Sequence, residues 1–248
     1  MSTTLTQIAQ IAFDRPRSRA YYTGIAIAFI VIVLAGFSRR YYVQLAGPAP
    51  IALVVHLHAA AFAAWFLLVL AQTTLVAAGR TDLHRRLGLC AAVLAPLAIV
   101  LGALTAIHGA RHGWNPGGAF RDPLAFMALG IVDVALFAGF ATAGFFYRHR
   151  SEVHKRLMIL ASVSLLWAAI TRLPSFAGER APEPLELAGL FGLLAAFAFS
   201  GPLYDFFSRR RVRALEVAGG ALIVGSRPLA RTVSTTEAWQ AFAGWLVG

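Results

Sequence analysis

Long apolar stretches alternate with short polar, arginine-rich turns along the whole chain. A helix needs roughly 20 consecutive apolar residues to cross a bilayer, and most of the stretches approach that length. The pattern predicts an all-α, polytopic membrane helix bundle with seven transmembrane helices. The predicted spans are Tyr21–Phe37, Ile51–Ala78, Leu87–Ile107, Leu124–Tyr147, Leu157–Leu173, Leu187–Phe207 and Ala214–Val224.

The segments outside the spans divide the chain into three parts. Residues 1–20 are predicted to form a cytoplasmic N-terminal segment, residues 21–230 the seven-helix transmembrane domain, and residues 231–248 a C-terminal interfacial segment. In the last part, Trp239, Phe242, Trp245 and Leu246 fall near one helical face, which is typical of a helix lying at the membrane surface.

Composition supports a lipid environment. Hydrophobic residues make up 58% of the chain and charged residues 13%, whereas soluble domains carry about 25% charge. The net charge of +11 comes from arginine clusters between apolar runs, a pattern of cytoplasmic membrane anchors rather than of nucleic-acid binding. The denser clusters predict an N-in, C-out protein of the bacterial inner membrane, with the lipid bilayer as its partner.

An eight-residue motif occurs twice, 70 residues apart. Residues 80–87 (RTDLHRRL) match residues 150–157 (RSEVHKRL), and a weaker echo follows at Arg209–Arg213. We interpret this as three similar helical hairpins after a lone first helix. Thr81 and Ser151 are predicted to cap their helices, and the basic pairs, including Arg156, to anchor at headgroup level.

His84 and His154 are the motif residues that capping and anchoring leave unexplained. The positive end of a helix dipole favours neutral imidazole, which is the form that binds metals. Two parallel helices that begin with the same motif share a depth, so the pair is a candidate inner site for haem or a metal ion. The alternative is a purely structural role in capping and packing.

The second predicted span carries His56 and His58, which lie on different helix faces because they are two residues apart. His58 shares a face with polar and aromatic residues, whereas the His56 face is plain. The spacing therefore favours His58 as the residue that faces a functional interior. The His58 stripe contains Phe62, Trp65, Val69 and Gln72.

Asp133 lies near the centre of the fourth predicted span, where a lone carboxylate is costly. We expect it to be protonated or paired, with Arg172, His58 or His108 as partners. Arg172 could instead extend outward to the headgroups. Asp205 is expected to pair with the Arg209–Arg213 cluster.

The strings HRRLG (84–88) and HKRLM (154–158), together with His56-Leu57-His58, Trp65 and Gln72, resemble a family of bacterial seven-helix membrane proteins without an assigned activity. They are more loosely similar to motifs of haem-oxidase assembly proteins and of b-type cytochrome membrane domains. In such cytochromes, histidines on facing helices bind haem from both sides. The chain departs from that plan because it lacks two clean transmembrane histidine pairs at matching depth.

Three functions remain open from the sequence. The first is redox chemistry with haem or a metal, using His84 with His154, or His58 with His108. The second is a small-molecule transporter or binding protein, and the third is an accessory subunit of a membrane complex or a homo-oligomer. The ligand pocket of the second would contain His56, Phe62, Trp65, Gln72, Asp133 and Arg172.

Some functions are disfavoured. The chain contains no Gly-x-Ser-x-Gly or His-Glu-x-x-His motif, which argues against familiar hydrolase chemistry. Cys90 is the only cysteine, so neither an intrachain disulfide nor a cysteine-linked haem motif is possible.

Overall fold

The computed structural model describes residues 2–38, 41, 43–45, 47, 50–114, 122–173 and 183–248. Every regular element in these ranges is a helix. The helices, numbered here in chain order, are α1 (Ser2–Phe37), α2 (Val43–Leu45), α3 (Leu53–Ala77), α4 (Thr81–Arg111), α5 (Pro123–Phe146), α6 (Ser151–Ser164), α7 (Trp167–Ile170), α8 (Glu183–Ala198), α9 (Ser200–Arg209), α10 (Ala214–Ser234) and α11 (Glu237–Val247).

Five helical stretches of the described chain are long and apolar enough to cross a membrane. A sixth span is possible if Pro184–Ala198 and Ser200–Ser208, which meet at an angle of 51°, are one broken helix. Pro202 lies in the first turn after this break, where a residue without a backbone N–H is tolerated. The five unbroken spans are Arg17–Phe37, Leu53–Ala77, Thr81–Arg111, Pro123–Phe146 and Ser151–Ile170.

The seventh predicted span, Ala214–Val224, lies within α10 but is shorter than that helix. α10 runs on for ten residues to Ser234 and carries Glu216, Arg227 and Arg231, so it is less apolar than the five spans. This extension brings Arg227 into the bundle.

The helices α3, α4, α5 and α6 pack side by side in chain order, and α1 packs against α3 and α7. On the other side, α10 packs against α5, α6 and α8. Large side chains fill the centre, and many apolar side chains on the outer helix faces remain exposed, as expected for a surface in contact with lipid. The central residues include Phe29, Trp65, Phe137, Leu166, Trp167, Leu194 and Ile223.

The two repeated motifs begin helices, but not through the predicted caps. The N-cap residues are Arg80 and Arg150, and neither cap is closed by a side-chain hydrogen bond. Thr81 and Ser151 are the first helical residues, so the prediction that they cap the helices was wrong. The turn before the first motif contains Gly79, whose φ of +76° lies in the left-handed region that favours glycine.

The C-terminal segment forms helix α11, which folds back onto the ends of α4 and α5. Trp239 Nε1 donates a hydrogen bond to the Leu124 carbonyl at 2.9 Å, and Arg111 Nε donates to the Val247 carbonyl at 2.7 Å. Phe242 and Trp245 are exposed on the opposite side. The helix is therefore anchored to the bundle while it presents aromatic rings outward.

Candidate functional site

The His58 stripe of α3 faces the interior of the bundle. Trp65 is fully buried and Val69 nearly so, whereas Leu67 on the other face is 58% exposed. Trp65 Nε1 donates a hydrogen bond to Ser162 Oγ on α6 at 3.2 Å, which ties the middle of the stripe to the helix that carries His154. The stripe thus has a histidine, His58, at one end and Gln72 at the other.

The rings of His84 on α4 and His154 on α6 lie together at the Gln72 end. Their centroids are 6.3 Å apart and their planes are inclined by 78°. Both residues occupy the second turn of their helices, so the equivalent positions of the repeated motif meet across the bundle. Gln72 is a further neighbour, because its backbone is within hydrogen-bonding reach of the His84 ring.

The hydrogen bond of His154 orients its ring. His154 Nδ1 lies 2.8 Å from the Gly144 carbonyl oxygen, and a carbonyl accepts but never donates, so Nδ1 carries the proton. In the neutral ring Nε2 then holds the lone pair. An imidazole whose Nδ1–H is held by a backbone carbonyl is the usual arrangement of a histidine that binds a metal through Nε2.

His84 offers a second nitrogen. Its Nδ1 is buried and has no hydrogen-bond partner among the described residues, and the same is true of Gln72 Oε1. A buried polar atom without a partner is costly, so such atoms often mark the place of a ligand. Two nitrogens that bind one ion from opposite sides place the ring centres on the order of 6 Å apart, because each bond is about 2 Å long. The observed separation fits this value.

In the described part of the chain, His84 and His154 form a pair of possible metal ligands rather than a larger cluster. No group of three or more His, Cys, Asp and Glu side chains converges there or elsewhere in those ranges. His84 and His154 would hold a haem iron through one nitrogen each. A single ion would need to complete its coordination with other donors.

At the opposite end of the stripe, His58 lies against Phe62 with ring centroids 4.1 Å apart. Its Nδ1 is also buried and has no hydrogen-bond partner within the described ranges. His108, the predicted partner of His58, stacks on His112 with ring centroids 4.1 Å apart. His56 is held separately, by a 2.8 Å hydrogen bond between its Nδ1 and the Tyr41 hydroxyl.

Asp133 is paired, but with a residue that the sequence pattern did not indicate. Its carboxylate forms a buried ion pair with the Arg227 guanidinium of α10. Arg227 also donates to Ser226 Oγ and lies 5.8 Å from the Trp167 ring centroid. Arg227 was not among the expected partners, which were Arg172, His58 and His108. It reaches this position because α10 extends beyond Val224.

Arg172 does not extend outward to the headgroups. It is buried, donates a hydrogen bond to the Ala168 carbonyl, and places its guanidinium 4.8 Å from the Phe37 ring centroid and 5.0 Å from that of Trp114. It also lies near enough to His58 and Asp133 to act on both electrostatically. These contacts form a second polar region at the His58 end of the stripe, whereas the His84–His154 pair lies at the Gln72 end.

Arg156 is the clearest departure from the predicted anchors, since only 1% of its surface is exposed. Its guanidinium lies 2.8 Å from Asp205 Oδ2 and 2.9 Å from Glu216 Oε1. Asp205 thus pairs with Arg156, and Arg213 of the predicted cluster lies 4.0 Å from it. The side chain of Arg209, another member of that cluster, lies outside the described residues. The prediction that Arg156 anchors at headgroup level was wrong because α9 and α10 bring the acidic partners Asp205 and Glu216 to it.

Sequence reasoning missed Glu216 and Arg227 as interior residues. They are eleven positions apart, which is close to three helical turns, so both lie on the face of α10 that packs into the bundle. That spacing was visible in the sequence. It was overlooked because the predicted span ended before Arg227.

Comparison with protein families, curated proteins and solved structures finds no match to this chain. The resemblance to seven-helix membrane proteins and b-type cytochromes therefore stays a prediction. The geometry of the chain's own residues carries the functional interpretation.

Proposed function

We propose that this chain is a seven-helix protein of the bacterial inner membrane that binds haem or a metal ion between His84 and His154 for redox chemistry. The observation that supports the proposal most strongly is the meeting of the two rings, 6.3 Å apart, with a carbonyl-held proton on one and an unpartnered buried nitrogen on the other.

The seven-helix topology rests on adding two helices to the five unbroken spans. The bent α8–α9 pair supplies the sixth. α10 has 21 residues and is therefore about 31 Å long, enough to cross the hydrocarbon layer. Its buried charges, Glu216 and Arg227, are both paired with other helices, which makes crossing possible. With the arginine-rich turns in the cytoplasm, the N-terminus is inside and the C-terminus outside.

Each residue of the site has a distinct part. Gly144 holds the His154 ring in one orientation through its carbonyl, and His84 presents Nδ1 from the facing helix. The fully buried Trp65 and Phe137, whose ring centroids are 4.7 Å apart, keep the bundle beyond the site dry. A bound haem or redox metal would supply one-electron transfer at this position.

The first test is the content of the purified protein. The full chain, extracted in detergent, is expected to show a haem Soret band or about one metal equivalent per chain by elemental analysis. The band or the metal should be lost in His84→Ala and in His154→Ala. A wild-type chain that has neither, and that takes up neither hemin nor added Cu or Fe, would contradict the proposal.

A second candidate function is small-molecule binding at the His58 end of the stripe. It is favoured by the unpartnered buried Nδ1 of His58 next to Phe62, with the Arg172 guanidinium nearby. These groups would suit a small anion or a polar aromatic molecule. Uptake or binding that is lost in both His58→Ala and Arg172→Ala, and retained in His84→Ala, would favour this function over the first.

A further inference from the structure

A second buried polar cluster lies apart from the histidine site and centres on Arg156. Asp205 on α9 and Glu216 on α10 both reach the same guanidinium. All three residues are at least 95% buried. When both carboxylates are ionised the buried trio carries a formal charge of −1, which is costly in an interior of low dielectric constant.

Two arginines, Arg156 and Arg213, offset the negative charge of the two carboxylates to different extents. Arg156 also bonds Glu152 and the Tyr22 hydroxyl, each at 3.3 Å, and thus divides its donors among four acceptors. Arg213 approaches Asp205 but is half-exposed, so water screens its charge. The other titratable groups close enough to act on Glu216 are Tyr21, Tyr22, Asp205 and Arg213.

One carboxylate oxygen of Glu216 is left without a partner. Its Oε1 accepts from Arg156, but its Oε2 is buried and has no hydrogen-bond partner among the described residues. The carboxylate also presses on Gly201, where an added Cβ would lie 2.3 Å from Oε1. Oε2 is therefore an atom at which one added proton would remove the negative charge of Glu216 and with it the need for a second ionic partner.

A route to water exists beside the cluster. A cavity of about 380 Å³ is lined by Asp205, Arg211, Val212 and Arg213. Arg211, Val212 and Arg213 are exposed, so the cavity opens at the turn between α9 and α10, whereas Asp205 forms its buried end. Asp205 shares Arg156 with Glu216, which places the buried end of the cavity next to the trio.

We propose that Glu216 is a proton-binding site that exchanges with water through the cavity beside Asp205. A proton from water binds Oε2, the buried trio becomes neutral, and Arg156 keeps its contacts with Asp205 and with Glu216 Oε1. Proton release reverses these changes. The site is independent of whether His84 and His154 bind a cofactor.

The test is a pH titration of the full chain in detergent by infrared difference spectroscopy. We expect one C=O stretch of a protonated carboxylic acid, present in the wild type and missing in Glu216→Gln, to appear as the pH falls. Gln has the shape of the protonated side chain, so this variant should fold. Asp205→Asn removes the competing carboxylate, so Glu216 keeps its charge more easily and the band should appear only at lower pH.

Water access has its own readout. The same band should shift in D2O, and Val212→Trp, which fills the cavity, should slow that shift without removing the band. The proposal would be overturned if wild type and Glu216→Gln showed the same carboxylic acid bands over the whole pH range in which the chain stays folded. A band that never shifts in D2O would overturn exchange through the cavity.

Discussion

The Asp133 carboxylate and the Arg227 guanidinium form an ion pair inside the bundle, with 7% and 2% of the two residues exposed. Asp133 lies ten residues into α5, or about 15 Å along its axis, so the pair connects α5 and α10 far from the helix ends. A charge at such a depth is tolerated only with a partner. The pair therefore holds α10, the least apolar long helix, against the rest of the bundle.

Removing one member of this pair should destabilise the fold strongly. Arg227→Met leaves the Asp133 carboxylate without its cation, and the loss of one partner of a buried pair costs about 3–5 kcal/mol. The measurement is thermal or denaturant unfolding of the purified chain in detergent. Arg231→Met, which changes an exposed arginine one turn further along α10, is the matched control and should have little effect.

The double variant Asp133→Leu with Arg227→Met should recover most of the lost stability, because no uncompensated charge remains. If Arg227→Met were as stable as the Arg231→Met control, the ion pair would not hold α10 as described.

The Asp133 pair shows what could be predicted from sequence. The depth of Asp133 and its need for a partner follow from apolar length and the cost of a buried charge. Its partner depends on where α10 ends. The prediction from apolar composition ended that helix at Val224, ten residues before its observed end at Ser234. Helix ends that carry charge cannot be found from hydropathy alone when the charge is paired inside the fold.

Arg156 is another buried charge whose environment could not be predicted from hydropathy. It corresponds to Arg86 in the repeated motif, yet Arg86 is exposed and Arg156 is buried against acidic side chains. Arg156→Gln should lower the unfolding free energy by about 3–5 kcal/mol, whereas Arg86→Gln should stay within about 0.5 kcal/mol of wild type. Unfolding curves of the two variants, recorded together, make the comparison, and equal effects would contradict the buried position of Arg156.

The repeated motif thus predicted where its residues lie along their helices, but not which side chains surround them. His84 and His154 have equivalent places in the motif, and the shared depth expected of them agrees with the contact between their rings. Arg86 and Arg156 have equivalent places too, but only Arg156 faces Asp205 and Glu216, which come from helices with no counterpart beside Arg86. Tertiary partners from distant parts of the chain decide which copy is buried.

Two glycines of α1 should respond differently to the same substitution. A Cβ at Gly36 would lie 2.3 Å from the backbone oxygen of Ala169, whereas a Cβ at Gly24 would meet nothing within 4 Å. Gly36→Ala is expected to cost about 1–3 kcal/mol or more because the backbones must separate. Gly24→Ala should be neutral or stabilising by up to about 1 kcal/mol. Unfolding midpoints of the two variants decide between this packing and a looser contact of α1 with α7.

The proposed orientation can be tested by chemical labelling. Cys90 is the only cysteine and is first replaced by Ser. A cysteine introduced by His112→Cys should react in intact cells with a membrane-impermeant maleimide, whereas one introduced by Asp82→Cys should react only after the cells are opened. Both positions are exposed in the fold, so burial does not protect either. The reverse labelling pattern would contradict the N-in, C-out topology.

The most direct measurement of the central claim is X-ray absorption at the metal edge of the purified, metal- or haem-loaded chain. The account predicts two imidazole nitrogens at about 2 Å from the metal, the same shell in His149→Ala, an exposed histidine of the turn that precedes α6, and loss of the metal signal in His84→Ala and in His154→Ala. A ligand shell without imidazole, or one that is the same in all four proteins, would contradict it.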